Sequence, residues 1–217
     1  MGIYATSERT RLALIHAAGE LLDERGLGRV STRAIAERAG ENLGAIHYHF
    51  GSKEGLLKET LRFACRSQAG PSLSEVIASY QDRLDTVSGQ VAAVRRVVQY
   101  LIETIFSPDR PRWCSRVLYQ VAQHDNPLRA FLREQVLDPS FEALTRLVLR
   151  VRPEWSTHDV CLWSHVLIGP AVYHADHADL ILERLGCKTF PRAYLEGLER
   201  RIADDAMRAL GLPHDRV

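Results

Sequence analysis

The chain has 217 residues, 46% of them hydrophobic, enough to bury a core in one large domain or in a small domain joined to a larger one; the second is expected. Its 28 basic and 27 acidic residues leave a net charge of +1, which excludes the bulk signature of a strongly basic nucleic-acid binder, so any anion-binding surface must come from placement. Cys65, Cys114, Cys161 and Cys187 stand far apart with no Cys-x-x-Cys pair, which argues against a disulfide framework or a zinc knuckle and for free thiols in a reducing compartment.

The first residues, MGIYATSERTR, lack the apolar run of a secretion signal, and no later segment reaches the roughly 18 uncharged apolar residues of a membrane span. A cytoplasmic protein with no membrane partner is expected. Thr10 to Arg25 places Leu14, Ile15, Ala18, Leu21 and Leu22 at helical spacing, and Gly26 and Gly28 end that helix. Thr32 to Ala39 predicts a second helix with Ile35, Ala36 and Ala39 on one face. Gly40 supplies the positive φ of a helix-ending turn, and Asn42 caps a third helix, Leu43 to His49. In that third helix Ile46 and Phe50, at i and i+4, face inward, leaving Leu43, Ala45, His47, Tyr48 and His49 outward. Ser52 caps a fourth helix through Leu56, Leu57, Leu61 and Ala64 to about Ala69, and Gly70-Pro71 marks a boundary.

The remainder reads as helices, with no alternating β-branched run that predicts a strand. Leu73 to Val87 and Val91 to Phe106 are separated near Ser88 and Gly89, and Ser107 to Pro111 is a loop. Trp113 to His124 follows. Asn126 and Pro127 start a helix that reaches Val151, with Pro139 bending or restarting it. Ser156 and Asp159 form a capping pair ahead of Val160 to Leu185, a stretch interrupted by Gly169-Pro170. Gly186 ends it, Pro191 starts the last helix, and Gly211 with Pro213 stops that helix near Leu210. The expected fold is all-α: a three-helix helix-turn-helix domain over residues 1–52, a connecting helix over 53–70, and a larger helical domain over 71–217, to which the family resemblance given below assigns ligand binding and dimerisation.

An outward face with two histidines, a tyrosine and apolar groups is a poor solvated face, and a helix N-terminus suits phosphate; both favour DNA. Arg33 can fork onto a guanine edge or a phosphate, and Thr32 can offer its hydroxyl and amide to a phosphate. Leu43 and Ala45 can touch thymine methyls, and Gly44 lets the backbone approach. Tyr48 can reach a phosphate or sugar, and Lys53 is a sequence-blind phosphate anchor. His47 and His49, at i and i+2, point to different faces and cannot share a metal ion. Any one of these residues alone reads as a plain surface side chain; their joint spacing argues otherwise.

Trp113, Tyr119, His124, Trp163, His165, Tyr173, His174 and His177 lie on otherwise apolar helices where they can line a small-molecule cavity, with core packing as the rival reading. His174 and His177 share a face with Asp176 beside them, but two histidines without further ligands more often mark a surface, so neither metal nor cofactor is expected. No nucleophile elbow, phosphate loop or HExxH pattern is present, and no catalytic residue is assigned. The rival to a DNA-binding regulator is a helical enzyme or metal-binding protein using the His-rich C-terminal helices.

The run AGENLGAIHYHFGSKE, Ala39 to Glu54, with Thr32-Arg33 opening the preceding helix, resembles the helix-turn-helix of the TetR family of transcriptional regulators. Asn42 to Glu54 together with Arg116 to Leu144 is similar to the CecR-type branch of that family. The resemblance implies a homodimer built on the last two helices, an inducer pocket in the C-terminal helices, and double-stranded operator DNA at Thr32, Arg33, Asn42, Leu43, Gly44, Ala45, His47, Tyr48, His49 and Lys53. The aromatic set suggests an apolar or aromatic inducer. Two positions depart from the family pattern. Glu41 replaces a usual apolar turn residue, so either the local packing differs or its carboxylate turns outward. His47 stands where tyrosine or asparagine is commoner.

Overall fold

The structure is a computed structural model that describes residues 2–65, 70–123 and 125–214, with side chains from position 7 onward. Every regular element among these residues is helical: α1 (Gly2–Arg25), α2 (Thr32–Ala39), α3 (Leu43–Phe50), α4 (Lys53–Cys65), α5 (Leu73–Ala78), α6 (Val87–Ile105), α7 (Trp113–Gln123), α8 (Pro127–Leu132), α9 (Asp138–Val151), α10 (Thr157–Asp176), α11 (Ala178–Leu185) and α12 (Arg192–Ala209). The expected all-α class holds. The expected end of the fourth helix at Ala69, and His124, lie outside the described residues.

The chain forms two compact units. One holds Met1–Gln68 and Pro111–Gln135, the other Ala69–Arg110 and Val136–Val217. In the first, α1 packs on α2, α4 and α7, α3 lies against α4, and α8 joins α4 and α7. Its core is built from Leu14, Ile15, Ala18, Leu21 and Leu22 of α1, Ile35 of α2, Ile46 of α3, and Leu56 and Leu61 of α4, all but excluded from solvent. From α7 it takes Trp113, Cys114, Val117 and Val121. Residues 111–135, distant in sequence from the helix-turn-helix, therefore fold with it.

Trp113 shows how. Its indole lies over Gly19 so closely that a Cβ there would stand 2.4 Å from the ring. Phe63 stacks on it with centroids 5.8 Å apart, and His16 meets it edge-on at 6.0 Å. Arg116 adds an ion pair to Asp23 of α1 at 3.0 Å.

In the second unit, α6, α10 and α12 pack together, with α9 against α10 and α5 against α6 and α9. Val94, Val97 and Val98 of α6, Leu144 and Leu147 of α9, Leu167 of α10 and Met207 of α12 form its centre. Trp163 belongs to this core, and its indole N–H donates to the Ala206 carbonyl at 3.1 Å.

Three helix limits differ from the sequence reading. The first helix begins at Gly2 rather than Thr10. The break expected at Ser88-Gly89 falls between Ala78 and Thr86, because Thr86 caps α6 by accepting from the Gly89 amide at 3.1 Å. Gly89 is inside the helix because the chain passes close there: a Cβ would lie 1.8 Å from the Arg83 carbonyl oxygen. Pro139 does restart a helix, but through a π-helical segment, Arg133–Leu137, after which Asp138 and Pro139 form the first turn of α9. Gly169-Pro170 does not interrupt α10, which runs through Pro170 and ends at His177.

Candidate functional site

The turn between α2 and α3 is built by local chemistry. Ser31 caps α2 by accepting from the Ala34 amide at 3.1 Å, and Gly40 ends it at φ 70°, a left-handed conformation that only glycine adopts without strain. The Asn42 side chain accepts from the Ala45 amide at 2.9 Å and opens α3. Gly51, at φ 72°, closes it, and Ser52 opens α4 by accepting from the Gly55 amide at 3.0 Å. These caps fix the angle at which α3 leaves α2.

Ile46 is fully buried and Phe50 half-buried, so the inward face of α3 is as expected. On the other side Leu43, Gly44, His47 and Tyr48 are exposed, Tyr48 to 82%, while Ala45 and His49 are half-buried. An exposure that high on a tyrosine costs apolar contact with water unless a partner covers it. His47 donates through Nδ1 to the Gly51 carbonyl at 3.2 Å, which turns Nε2 outward. The His49 ring meets Tyr48 edge-on with centroids 4.9 Å apart. A Cβ on Gly44 would come within 3.1 Å of the Asn42 capping oxygen, so this glycine also protects the cap. Lys53 is the first residue of α4 and half-buried.

The arginines divide by partner. Arg38 joins α2 to α1 through Glu24, with Nη contacts at 2.9 Å, and through Glu20 at 3.3 Å. Those bonds raise the Arg38 pKa above the usual range and lower that of Glu24. Arg11 ties α1 to Glu59 of α4 at 2.7 Å. Arg33, on the solvent side of α2, donates Nε to Glu37 at 2.9 Å, and that bond raises its pKa. The Glu41 carboxylate turns inward and accepts from the Thr10 hydroxyl at 2.9 Å, which answers the departure at this position by a change in packing. Sequence reasoning left Thr10, Glu37 and Trp113 without these roles, because each depends on a residue of another helix or on a rotamer.

The candidate ligand residues are distributed over both units. Trp113 and Tyr119 belong to the first, Trp113 in its core and Tyr119 exposed. Trp163, His165, Tyr173, His174 and His177 belong to the second. Trp163 is a core residue, while His165 is exposed and donates to the Cys161 carbonyl at 2.7 Å. Tyr173 stacks on His177 at 4.2 Å, and the Tyr194 hydroxyl lies 3.1 Å from Nε2 of His174. Among the described residues no three histidines, cysteines or carboxylates gather as a metal site, and no helix is long and apolar enough to cross a membrane.

A capped helix, a glycine turn and a second capped helix with an exposed polar and aromatic face define a helix-turn-helix DNA-binding protein. Residues 14–60 match the family described as bacterial regulatory proteins, tetR family. Over 215 residues the chain is 26% identical to the HTH-type transcriptional dual regulator CecR of Shigella flexneri, covering 90% of this chain and 88% of that one. It is 31% identical over 86 residues to the transcriptional regulator BetI of Burkholderia cenocepacia, 40% of this chain and 44% of that one. The fold matches a TetR-family transcription regulator from Marinobacter aquaeolei with a TM-score of 0.58 at 15% identity, covering 94% of this chain and 98% of the other. Residues 14–60 therefore carry the helix-turn-helix domain of the TetR family. Both CecR and BetI are transcriptional regulators, and the rival reading of an enzyme or metal protein on the C-terminal helices finds no support among them.

Proposed function

We propose that the protein is a cytoplasmic repressor of the CecR-type branch, which holds a palindromic operator as a homodimer and releases it when a small apolar or aromatic molecule binds. The observation that carries this reading is the exposed face of α3, with Tyr48 82% exposed beside Leu43 and His47, opposite a buried Ile46. Thr32, Arg33, Leu43, Gly44, Ala45, His47, Tyr48, His49 and Lys53 make up the DNA-facing set; Asn42 serves it indirectly, since its side chain caps α3.

A second copy has a surface to cover. Leu162 and Val166 of α10, 67% and 59% exposed, sit one turn apart, and Tyr173 of α10 with Leu180 and Leu185 of α11 are also exposed. Pairing two copies there makes the operator an inverted repeat, with recognition helices about 34–36 Å apart or a multiple of that.

For the ligand, the second unit offers buried polar atoms that need partners: the hydroxyls of Ser164 and Thr104 make no hydrogen bond among the described residues. An apolar molecule with one polar end would satisfy such a group. Gel shift and footprinting on the DNA flanking its own gene test the reading. A footprint with a dyad is expected, and a chain that binds no such DNA, or leaves a footprint without a dyad, overturns it.

A further inference from the structure

α2 carries two arginines, and the structure treats them differently. Arg38 commits both Nη groups, to Glu24 and Glu20. Arg33 commits only Nε, to Oε1 of Glu37 at 2.9 Å, and its Nη groups make no hydrogen bond among the described residues. The side chains of Arg33 and Glu37 are 85% and 65% exposed. An ion pair so open to water at i and i+4 adds little to stability, so its geometry is the more informative property.

A guanidinium has two forked edges. An acceptor on Nε occupies the side edge and limits rotation of the plane, which leaves the Nη1–Nη2 edge uncommitted. That edge matches the O6 and N7 acceptors of guanine in the major groove. The Glu37 carboxylate is also a fixed negative charge on the α2 surface that carries Arg33, and it repels the phosphate oxygens on which an untethered arginine would settle.

We propose that Glu37 is a positioning residue: it holds the Arg33 fork for a base edge and keeps it off the phosphate backbone, so that Arg33 reads sequence instead of anchoring. This rests on the DNA-facing assignment of α2 and α3 above. It adds a specificity role for an acidic residue that touches no DNA.

The test uses the full chain as wild type, Glu37→Ala, Glu37→Gln, Arg33→Ala and the Glu37→Ala/Arg33→Ala double variant. The probes are duplexes that the wild type selects from a pool of randomised sequence, and scrambled duplexes of equal length. Each is titrated at several salt concentrations, and a thermal melt verifies that every variant folds. Glu37→Ala is expected to lower the ratio of selected to scrambled affinity about tenfold or more. On scrambled DNA it should steepen the salt slope by about one unit, as Arg33 moves to a phosphate. Glu37→Gln keeps an acceptor for Nε and should retain most of the discrimination. Removing Glu37 in the Arg33→Ala background should change neither ratio nor slope. The inference is overturned by an unchanged ratio in Glu37→Ala, by equal losses in the Gln and Ala variants, or by an effect that survives without Arg33. If the wild type selects no duplex, the DNA-binding assignment itself fails and takes the inference with it; if it selects duplexes to which Arg33→Ala binds normally, the inference alone fails.

Discussion

The Thr10 hydroxyl donates to the Glu41 carboxylate at 2.9 Å, joining the first helix to the turn of the helix-turn-helix across 31 residues of sequence. Glu41 is half-buried, and its amide donates to the Ala36 carbonyl at 3.0 Å, so both its side chain and its backbone stabilise the turn. An apolar residue at this position would pack inward without a partner; a glutamate needs one, and Thr10 supplies it.

Glu41→Ala should therefore destabilise the protein by about 0.5–1.5 kcal/mol, the net contribution of a part-buried hydrogen bond. Glu41→Gln keeps an acceptor carbonyl and should lose less. Urea denaturation of the three proteins measures both, and equal stability for Ala and wild type would mean that the contact contributes nothing.

Gly19 faces the Trp113 ring with no room for a methyl group, the nearest ring atom lying 2.4 Å from an added Cβ. Gly19→Ala gains helix propensity but must push α7 off α1, and the second effect should dominate, at about 1–3 kcal/mol. A fall in melting temperature is expected, with the Trp113 fluorescence shifting as the indole leaves its contact with Phe63. An unchanged melt would show that α7 moves freely on α1.

Much of this architecture was legible in the sequence because it is written in local signals. Gly40, Asn42, Ser52, the Ser156–Asp159 box and Gly186 each act within four residues, and each caps or ends the helix expected of it. Gly89 and Gly169 were misleading because a glycine inside a helix reads as a break, whereas Gly89 serves a close crossing by Arg83. On α3 the exposure of Leu43, His47 and Tyr48 followed from helical period alone, whereas Ala45 and His49, expected outward, are half-buried. The partners of Arg33 and Glu41, and the place of Trp113 in the first unit, depend on rotamers and on helices far apart in sequence, which periodicity does not encode.

Glu199 of α12 has its carboxyl pKa raised, first by burial and then by Glu103 and Glu196, with Arg96 opposing. A raised folded-state value means that the folded protein binds this proton more readily than the unfolded chain does. Stability linked to Glu199 is then present at acid pH and lost as pH rises through the window above the usual glutamate range. Glu199→Gln should melt higher than wild type at neutral pH, and the difference should vanish below that range. A difference that grows on acidification would reverse the assignment.

Lys53 begins α4, where its charge adds to that of the helix N-terminus. Lys53→Ala should weaken binding to selected and scrambled duplexes alike and flatten the salt slope by about one unit. A change in sequence preference with an unaltered slope would place Lys53 at a base.

The exposed pair Leu162 and Val166 gives the sharpest test of the dimer. These side chains project from the middle of α10 at positions where the inner face, Val160, Trp163 and Leu167, is already committed to the core of the second unit. Neither side chain contributes to the core of one copy, and a second copy on this face would cover both. Leu162→Arg would place an unpaired charge in such a contact, and the dimer dissociation constant should rise about a hundredfold or more. Leu149→Arg, at an exposed apolar position on α9 outside this face, is the control and should leave the dimer intact. Because a two-fold operator is held by two recognition helices at once, DNA affinity should fall with dimerisation in Leu162→Arg and recover as protein concentration rises. Light scattering and gel shift on the same samples separate the outcomes: a Leu162→Arg protein that remains dimeric at micromolar concentration places the interface elsewhere, and one that is monomeric yet binds DNA as wild type does removes the need for a dimer.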